Sequence, residues 1–383
     1  MDNTSDNISF IRQGDVTHSA ASFAGQFAFE YILPFLLNDS TELIANINTE
    51  ALLLKTSQAL FPVTINNEEY SNSYVCSPYT ACVSYLQEEI EKLNNKPLEY
   101  LLSAISRSLG VLLKKARINK VVSVNNWMLS TNLYPAWDGG GLQEMRQVLE
   151  QEFPDHAFMF RSLNRHTNAR LIDVFLQNGF MIVPSRQVYV FDQKLSSFIR
   201  RTNTKRDMKV LKKTKYEVVD HEYLGQNDYS RMVELYNLLY LEKYSLHNPQ
   251  LTEQCVAYWH RKKLFTMMGL RNKEGILDGV IGFFEVNGVM SAPLVGYDTS
   301  VPRERALYRM LMALALRRAN DEGKVLNMSS GAPDFKRVRG GEPFIEYSAV
   351  YIHHLSWPRQ FVWKLTNFLL THLGVPIMKA FKL

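Results

Sequence analysis

The chain has 383 residues, of which 46% are hydrophobic and 21% charged, and its formal net charge at pH 7 is +5. A single hydrophobic core stops growing at about 250–300 residues, so this length favours two domains. The ordinary glycine, proline and aromatic content excludes collagen, coiled coils and disordered chains.

Three scattered cysteines are too few for a disulfide framework or a zinc site, and we expect free thiols in a reducing compartment. The N-terminal sequence MDNTSDNISF lacks the basic start of a signal peptide. The most apolar window, 306–316, contains Arg309 and is shorter than the about 20 apolar residues that a membrane-spanning helix needs. We therefore expect a soluble, cytoplasmic protein.

The first half of the chain predicts a polar tail and helices up to residue 60, followed by alternating elements. Short strands are expected at FPVTI and YVCSPYTA, and then helices at SYLQEEIEKL and 98–117. Further strands are expected at KVVSVNNWML, HAFMFRSL and MIVPSRQVYVFD. The helices between them are LQEMRQVLEQEF and NARLIDVFLQNGF, the second closed by Asn178–Gly179.

The second half predicts two helices, VELYNLLYLEKYS and TEQCVAYWHRKKL, and then a three-stranded antiparallel meander closed by an Asn287–Gly288 hairpin. A long helix, the strand KVLNMSS, a short helix or loop and the strand FIEYSAVYIHHL follow, and the tail from Trp357 has helical spacing. We predict an α/β fold of two similar domains. The first, 1–195, carries an N-terminal helical segment, and the second, 196–383, carries a basic linker helix and an amphipathic tail.

This order of elements resembles the GNAT acyltransferase fold, and two such units resemble the tandem GNAT and Fem-type proteins. Three stretches carry the resemblance: FRSLNRHTNARLIDVFLQNGFMIVPSRQVYVFD, LSSFIRRTNTKRDMKVLKKTK and LNMSSGAPDFKRVRGGEPFIEYSAVYI. The resemblance implies two tandem GNAT-like domains, each a mixed, mostly antiparallel sheet flanked by helices. It also implies acyl transfer to an amine, with the second domain catalytic and the first degenerate.

The resemblance places the reaction centre between the fourth and fifth strands, at Leu294–Tyr297 and Asn327–Ser330. Val295 and Tyr297 would contact the donor there. Enzymes of this fold that use coenzyme A usually carry a glycine-rich loop before the central helix, and this chain has none after Gly296. Arg303 and Arg305 are the expected replacements as phosphate ligands, with Thr299 or Ser300 as the helix cap. The donor is therefore either acyl-coenzyme A or an acyl-carrier protein.

Four residues are candidates for the chemistry. Glu285 is a candidate base for the amine proton, or faces solvent. Asp298 is a candidate base or a ligand of the amine, or caps a helix. Ser330 is a candidate substrate ligand, and Tyr347 a candidate acid for the departing thiolate, or a core aromatic. Lys336 would hold a carboxylate or phosphate, or lie in a solvated basic turn. The adjacent His353 and His354 face opposite sides of a strand, and no metal site is predicted.

The positive charge is concentrated in two places. Residues 200–215 hold eight lysines or arginines and one acid, Asp207. This concentration of charge favours contact with a phosphate-bearing donor, transfer RNA, an acidic carrier protein or anionic lipid. The alternative is a solvated helix face. The tail, 357–383, combines aromatic and basic residues without an acid, so peripheral membrane contact is a second expectation.

We expect an N-acyltransferase that moves an acyl group from a thioester to an amino acid or related small amine. The alternatives are Fem-type transfer from aminoacyl-tRNA and a non-catalytic binding module. The charge is too low for a dedicated DNA-binding protein.

Overall fold

A computed structural model of the chain describes residues 8–91, 95–195 and 201–381. Arg200 and Lys382, which belong to the two predicted basic regions, lie outside these ranges. The described chain divides into two compact units. Unit 1 comprises the described residues up to Arg186, with 247–249 and 345–381, and unit 2 comprises 187–246 and 250–344.

The elements up to the end of the first half follow in chain order: β1 (Ser9–Ile11), α1 (Val16–Phe23), α2 (Phe27–Leu37), α3 (Ser40–Leu43), β2 (Glu50–Lys55), β3 (Leu60–Asn66), α4 (Tyr85–Glu91), α5 (Lys96–Lys115), β4 (Val121–Val124), α6 (Leu142–Glu152), β5 (Ala157–Asn164), α7 (Ala169–Gln177) and β6 (Met181–Phe191).

The remaining elements are α8 (Thr202–Lys213), β7 (Glu217–Val219), α9 (Gln226–Asn237), α10 (Glu253–Arg261), β8 (Thr266–Arg271), β9 (Leu277–Val286), β10 (Val289–Tyr297), α11 (Leu307–Asp321), β11 (Val325–Asn327), α12 (Pro333–Arg337), β12 (Glu342–Tyr351), α13 (Trp357–Leu369) and α14 (Val375–Phe381). Short 3₁₀ and π turns, among them Thr80–Ser84 and Arg303–Arg305, join some of them.

The two units repeat one strand pattern. In unit 1, β1 to β4 pair antiparallel in chain order, β5 adds parallel to β4, and β12 closes the sheet antiparallel to β5. In unit 2, β7 to β10 pair antiparallel, β11 adds parallel to β10, and the end of β6 closes the sheet antiparallel to β11. The expected α/β class, with mixed and mostly antiparallel strand pairing in each unit and flanking helices, is confirmed.

The closing strands differ from the expected order. Chain order predicts that β12 closes the second sheet, but residues 346–351 pair with β5 of unit 1, whereas Val190 and Phe191 of β6 pair with β11 of unit 2. Residues 345–381, including the C-terminal helices, therefore belong to unit 1, which departs from the predicted division at residue 195.

Local errors in the predicted elements have local causes. YVCSPYTA forms turns and part of a π turn, because the side-chain Oδ1 of Asn119 accepts from the Tyr79 amide (2.9 Å) and the Ser77 hydroxyl (3.2 Å). The predicted strand KVVSVNNWML ends at Val124, and β2 was expected as part of a helical region. Among the described residues, no helix is both long and apolar enough to cross a membrane.

Each sheet is covered by apolar side chains. In unit 1, Phe158, Phe160 and Phe175 lie in a core on one face, and Leu113 and Trp363 lie in a second core. In unit 2, α11 contributes buried residues from Leu307 to Ala319 to a core with β9 and β10. The hairpin between β9 and β10 turns at Asn287 and Gly288, with φ values of 50° and 75°, as the Asn-Gly pair predicts.

Candidate functional site

The parallel strands β10 and β11 separate in unit 2. They pair only at 289–291 with 325–327, and β10 then continues to Tyr297. Pro293, which has no N–H, lies where the register between β10 and β9 shifts. Alternate backbone groups of an antiparallel strand face away from its partner, so some of those at 294–297 point to the side that β11 has left. The predicted opening between the fourth and fifth strands is present.

The loop after β11 is held by a buried lysine. Ser329 and Ala332 have φ values of 59° and 48°, a conformation that costs non-glycine residues about 1–3 kcal/mol. Lys336 is 3% exposed, and its Nζ donates to the carbonyl oxygens of Ser329 (3.1 Å) and Ser330. The Lys336 ammonium therefore binds the backbone of the loop that follows β11, in contrast to the predicted solvated or ligand-binding roles.

Aromatic side chains surround the end of β10. The Tyr297 hydroxyl oxygen accepts from Lys243 Nζ at 3.0 Å, and its ring centroid lies 5.9 Å from that of Tyr308. Tyr308 lies 4.9 Å from Phe335 of α12, and burial raises the Tyr308 pKa far above its usual value. Val295 is 4% exposed and packs in the unit 2 core. Of the two residues predicted to contact a donor, Val295 is therefore buried in the core, whereas the Tyr297 hydroxyl is held by Lys243.

Asp298 follows β10 and is fixed by neighbours. Its Oδ2 accepts from Arg231 Nη2 at 2.6 Å, and its Oδ1 accepts from the Ser300 amide at 2.9 Å. Burial alone would raise the Asp298 pKa, but the bonds from Ser300 and Arg231 outweigh it and lower that pKa. Asp298 is thus a weak proton acceptor that organises the turn. The cap of α11 is Ala306, in place of the expected Thr299 or Ser300.

Glu285 lies at the other end of the sheet. It sits opposite the second residue of β10, and a strand rises about 3.3 Å per residue, so roughly 20 Å separates it from the end of that strand. Its Oε1 lies 3.0 Å from Arg318 Nη2, and its Oε2 pairs with Lys324. Burial alone would lower the Lys324 pKa, but hydrogen bonds, first that to Glu285, raise it. The carboxylate is part of an ion-pair cluster at the C-terminal end of α11.

Tyr347 belongs to unit 1. It pairs with Leu163 of β5, and its partly buried ring packs against the unit 1 core. The core alternative of the sequence analysis describes this environment. Tyr347 is therefore in a different unit from the other predicted site residues.

A basic groove lies at the N-terminal end of α11. Its volume is about 550 Å³, and Glu304 is the acidic side chain among its lining residues. Six cationic side chains line it: Arg206, Lys209, Lys213, Lys215, Arg305 and Arg309. Tyr216, also in the lining, donates to Asp278 Oδ2 (2.8 Å), and the Asp298 amide donates to the Asp278 carbonyl oxygen (2.9 Å). These bonds connect the groove to the end of β10.

The groove separates the predicted cations into two groups. Arg305 lines it, whereas Arg303 is exposed on the same 3₁₀ turn and is not among its lining residues.

Arg309, Lys243 and Ser291 were missed by the sequence analysis. Ser291 is the last residue of β10 that pairs with β11. It is 3% exposed, and its hydroxyl has no hydrogen-bond partner in the described part of the chain. No sequence signal marks that serine, because it depends on where two strands part.

Comparisons with known proteins bear on the fold. No protein-family profile and no curated protein sequence matches the chain. Among solved structures the chain is similar to FemX, at 8% identity and a TM-score of 0.45 over 59% of this chain and 78% of FemX. It is also similar to L-PGS from Bacillus licheniformis, at 13% identity and a TM-score of 0.42 over 59% of this chain and 77% of that chain.

A third similar structure is a tandem GNAT protein from the clavulanic acid biosynthesis pathway, at 9% identity and a TM-score of 0.38. That similarity covers 90% of this chain and 98% of the other. FemX and this tandem GNAT protein are of the two types to which the sequence analysis found a resemblance.

Proposed function

We propose that the protein is an N-acyltransferase that takes an acyl group from a thioester donor, acyl-coenzyme A or an acyl-carrier protein, and transfers it to the amine of an amino acid or related small molecule. The observation that carries the proposal is the basic groove beside the open edge of β10. Such a donor joins an anionic phosphate part to a neutral acyl part. Cations suit the first, and free backbone groups of a strand suit the second.

The reaction requires the amine nitrogen to attack the thioester carbon, a C–N bond to form and the C–S bond to break. Amides facing away from β9 at the open part of β10 would stabilise the oxyanion. The amine nitrogen must lose one proton and the departing thiolate must gain one. We assign both transfers to Tyr297, which gives its phenolic proton to the sulfur and takes up the proton released by the amine nitrogen. Because Lys243 Nζ donates to the Tyr297 oxygen, the phenolic hydrogen is directed elsewhere and is available to the leaving group. Asp298 and Ser330 would position the substrate.

The test reverses one charge inside the groove and one outside it. Lys209 lines the groove, whereas Lys212 is an exposed lysine of the same helix that does not. We expect Lys209→Glu to weaken binding of acetyl-coenzyme A about tenfold or more, the scale of a lost charged hydrogen bond, and Lys212→Glu to change it less than about twofold. Equal effects of the two changes would show that only net charge matters and would contradict the proposal.

An aminoacyl-tRNA donor is the second candidate. Arg206, Lys209 and Lys213 are spaced by three and four residues on α8, so they lie on one helix face, as a phosphate backbone requires. The salt dependence of binding separates the donors. The logarithm of the affinity falls by about 0.7–0.9 per contacted phosphate for each tenfold rise in salt, so a steep slope with tRNA and weak binding of coenzyme A would favour this candidate.

We also propose that unit 1 contacts anionic membranes through α13. Trp357 and Phe361 are 74% and 51% exposed and stack at 5.7 Å, and the cations Lys115, Arg117 and Arg359 lie around the same depression. Exposed aromatic rings beside cations suit the interface of an anionic bilayer.

We expect phosphatidylglycerol vesicles to bind the protein more tightly than phosphatidylcholine vesicles in a sedimentation assay. Replacing Trp357 and Phe361 by alanine should lower that binding at least about tenfold, because the two exposed aromatic side chains can no longer enter the bilayer interface. Leu176→Ala, at an exposed apolar residue of α7, is the control. Unchanged binding in the double variant would contradict membrane contact through α13.

A further inference from the structure

A buried arginine lies in unit 1 where its two parallel strands end. β4 and β5 pair up to Val124 and Phe160. Asn125, which follows β4, has a φ of 57°, and Ser162 of β5 has a φ of 65°. The backbone therefore leaves regular strand geometry at both places. Arg161 lies between Phe160 and Ser162 and is only 9% exposed. The position corresponds within unit 1 to the opening between β10 and β11 in unit 2.

The hydrogen bonds of Arg161 engage one side of its guanidinium. Its Nη1 donates to the Val75 carbonyl oxygen (2.9 Å) and to the Asn126 carbonyl oxygen Oδ1 (3.1 Å). Within the described ranges, no hydrogen bond engages its Nε or Nη2. Nε and Nη2 form a planar fork of two parallel N–H groups, whose spacing matches the two oxygens of a carboxylate or phosphate.

The carboxylate in this cluster is already taken. Glu346 is 2% exposed and accepts from Arg186, from Nε at 2.9 Å and from Nη2 at 3.5 Å. Arg186 Nη2 also donates to the Thr131 hydroxyl at 3.0 Å. The cluster therefore contains the buried guanidinium group of Arg161, the partly buried guanidinium group of Arg186 and one carboxylate. No acidic side chain of the described chain forms an ion pair with Arg161, although buried charges are rarely left unpaired.

Unused hydroxyl groups lie beside the unpaired cation. Ser162, the next residue, is 4% exposed, and its Oγ has no hydrogen-bond partner in the described part of the chain. The Oγ of Ser123 is buried and equally without a partner there. Ser123 pairs with Met159 in the parallel register, and Met159 and Arg161 alternate to the same face of β5, so Ser123 and Arg161 share a face.

We propose that Arg161 is the anchor of an oxyanion-binding site in unit 1, which holds a carboxylate or phosphate group through the Nε and Nη2 fork. The bound group would supply the negative charge that the described protein does not offer to Arg161. The nearby serine hydroxyls are available as further donors. The site is independent of acyl transfer, because its residues lie in unit 1 and it requires only binding.

The test compares three variants of the full chain. Arg161→Gln removes the charge and the fork, and Arg161→Lys keeps the charge and removes the fork. Arg165→Gln is the matched control, because Arg165 is an exposed arginine four residues away that pairs with Asp173. Binding of sodium acetate and of inorganic phosphate is measured by calorimetry and by the shift in unfolding temperature, against sodium chloride at equal ionic strength.

We expect at least one of the two oxyanions to raise the unfolding temperature of the wild-type protein and of Arg165→Gln above the chloride value. Affinity should fall about tenfold or more in Arg161→Gln and by a smaller factor in Arg161→Lys, since a lysine offers a point charge without the planar fork. A response to acetate alone identifies a carboxylate ligand, and a response to phosphate alone identifies a phosphate ligand.

Two results would overturn the site: no oxyanion effect beyond that of chloride, or the same affinity in Arg161→Gln as in the wild-type protein. If Arg161→Gln does not fold, Arg161→Lys decides, and an affinity equal to that of Arg165→Gln would then refute the fork.

Discussion

Gly296→Ala should destabilise unit 2 by about 3 kcal/mol or more, at the upper end of what overpacking costs. A methyl group at this position of β10 would lie 2.3 Å from the Leu235 carbonyl carbon and 2.4 Å from the Tyr236 nitrogen of α9. These are backbone atoms of a helix, so no side-chain rotation can relieve the clash. The helix would have to move off the sheet. Urea denaturation, followed by tryptophan fluorescence, measures the change.

The control for this prediction is Gly225→Ala. A methyl group there meets nothing within 4 Å, and the φ of Gly225 is −164°, a conformation that alanine adopts readily. Its position before α9 makes a loss of a few tenths of a kcal/mol the expected result. If Gly296→Ala unfolds at the same urea concentration as Gly225→Ala, the close approach of α9 to β10 is wrong.

Asp207→Ala should cost about 3–5 kcal/mol, because it removes the carboxylate of a buried ion-pair cluster. Asp207 is 2% exposed, and its Oδ1 accepts from Arg309 Nε at 2.8 Å while its Oδ2 accepts from Arg339. Arg339 is 7% exposed and stacks 3.5 Å above the Phe335 ring, so the alanine variant would leave a buried cation without a carboxylate. The unfolding free energy from urea denaturation is the measurement.

Asp207 also holds α8 on α11, and these two helices carry four of the six groove cations: Arg206, Lys209, Lys213 and Arg309. We therefore expect coenzyme A binding to weaken in the same variant. Asp220→Ala, at an exposed acid of unit 2, should change the unfolding free energy by less than about 0.5 kcal/mol. Asp207→Asn keeps the shape of the side chain and removes its charge, so its loss of unfolding free energy should lie between those of Asp207→Ala and Asp220→Ala. A loss in Asp207→Ala no larger than that in Asp220→Ala would mean that the cluster contributes little.

Local patterns predicted the elements that local chemistry determines. The Asn287–Gly288 turn, the meander and the helix closed by Gly179 follow from turn residues and apolar spacing, and all three are present. The opening between β10 and β11 followed from the resemblance, and Pro293 lies just beyond the last paired residue, where β10 also shifts its register against β9.

Long-range contacts determine what the sequence did not predict. Glu285 has the residue type of a base, but the antiparallel register places it among Arg318 and Lys324 at the far end of the sheet. Lys336 has the residue type of a phosphate ligand, but the carbonyl oxygens of Ser329 and Ser330 occupy its ammonium. In each case the partner is distant in sequence or defined by backbone geometry, which no pattern of neighbours reveals.

The closing strand of unit 1 has a consequence for synthesis on the ribosome. One edge of β5 pairs with β4, and its other edge pairs with residues 346–351, which are translated long after β5 itself. At about 5–20 residues per second, the edge of β5 emerges and waits on the order of ten to forty seconds for its partner. An uncovered strand edge is prone to pair with other chains. We therefore expect premature termination before residue 345 to yield a product that aggregates or binds chaperones, even though most of both sheets has been made.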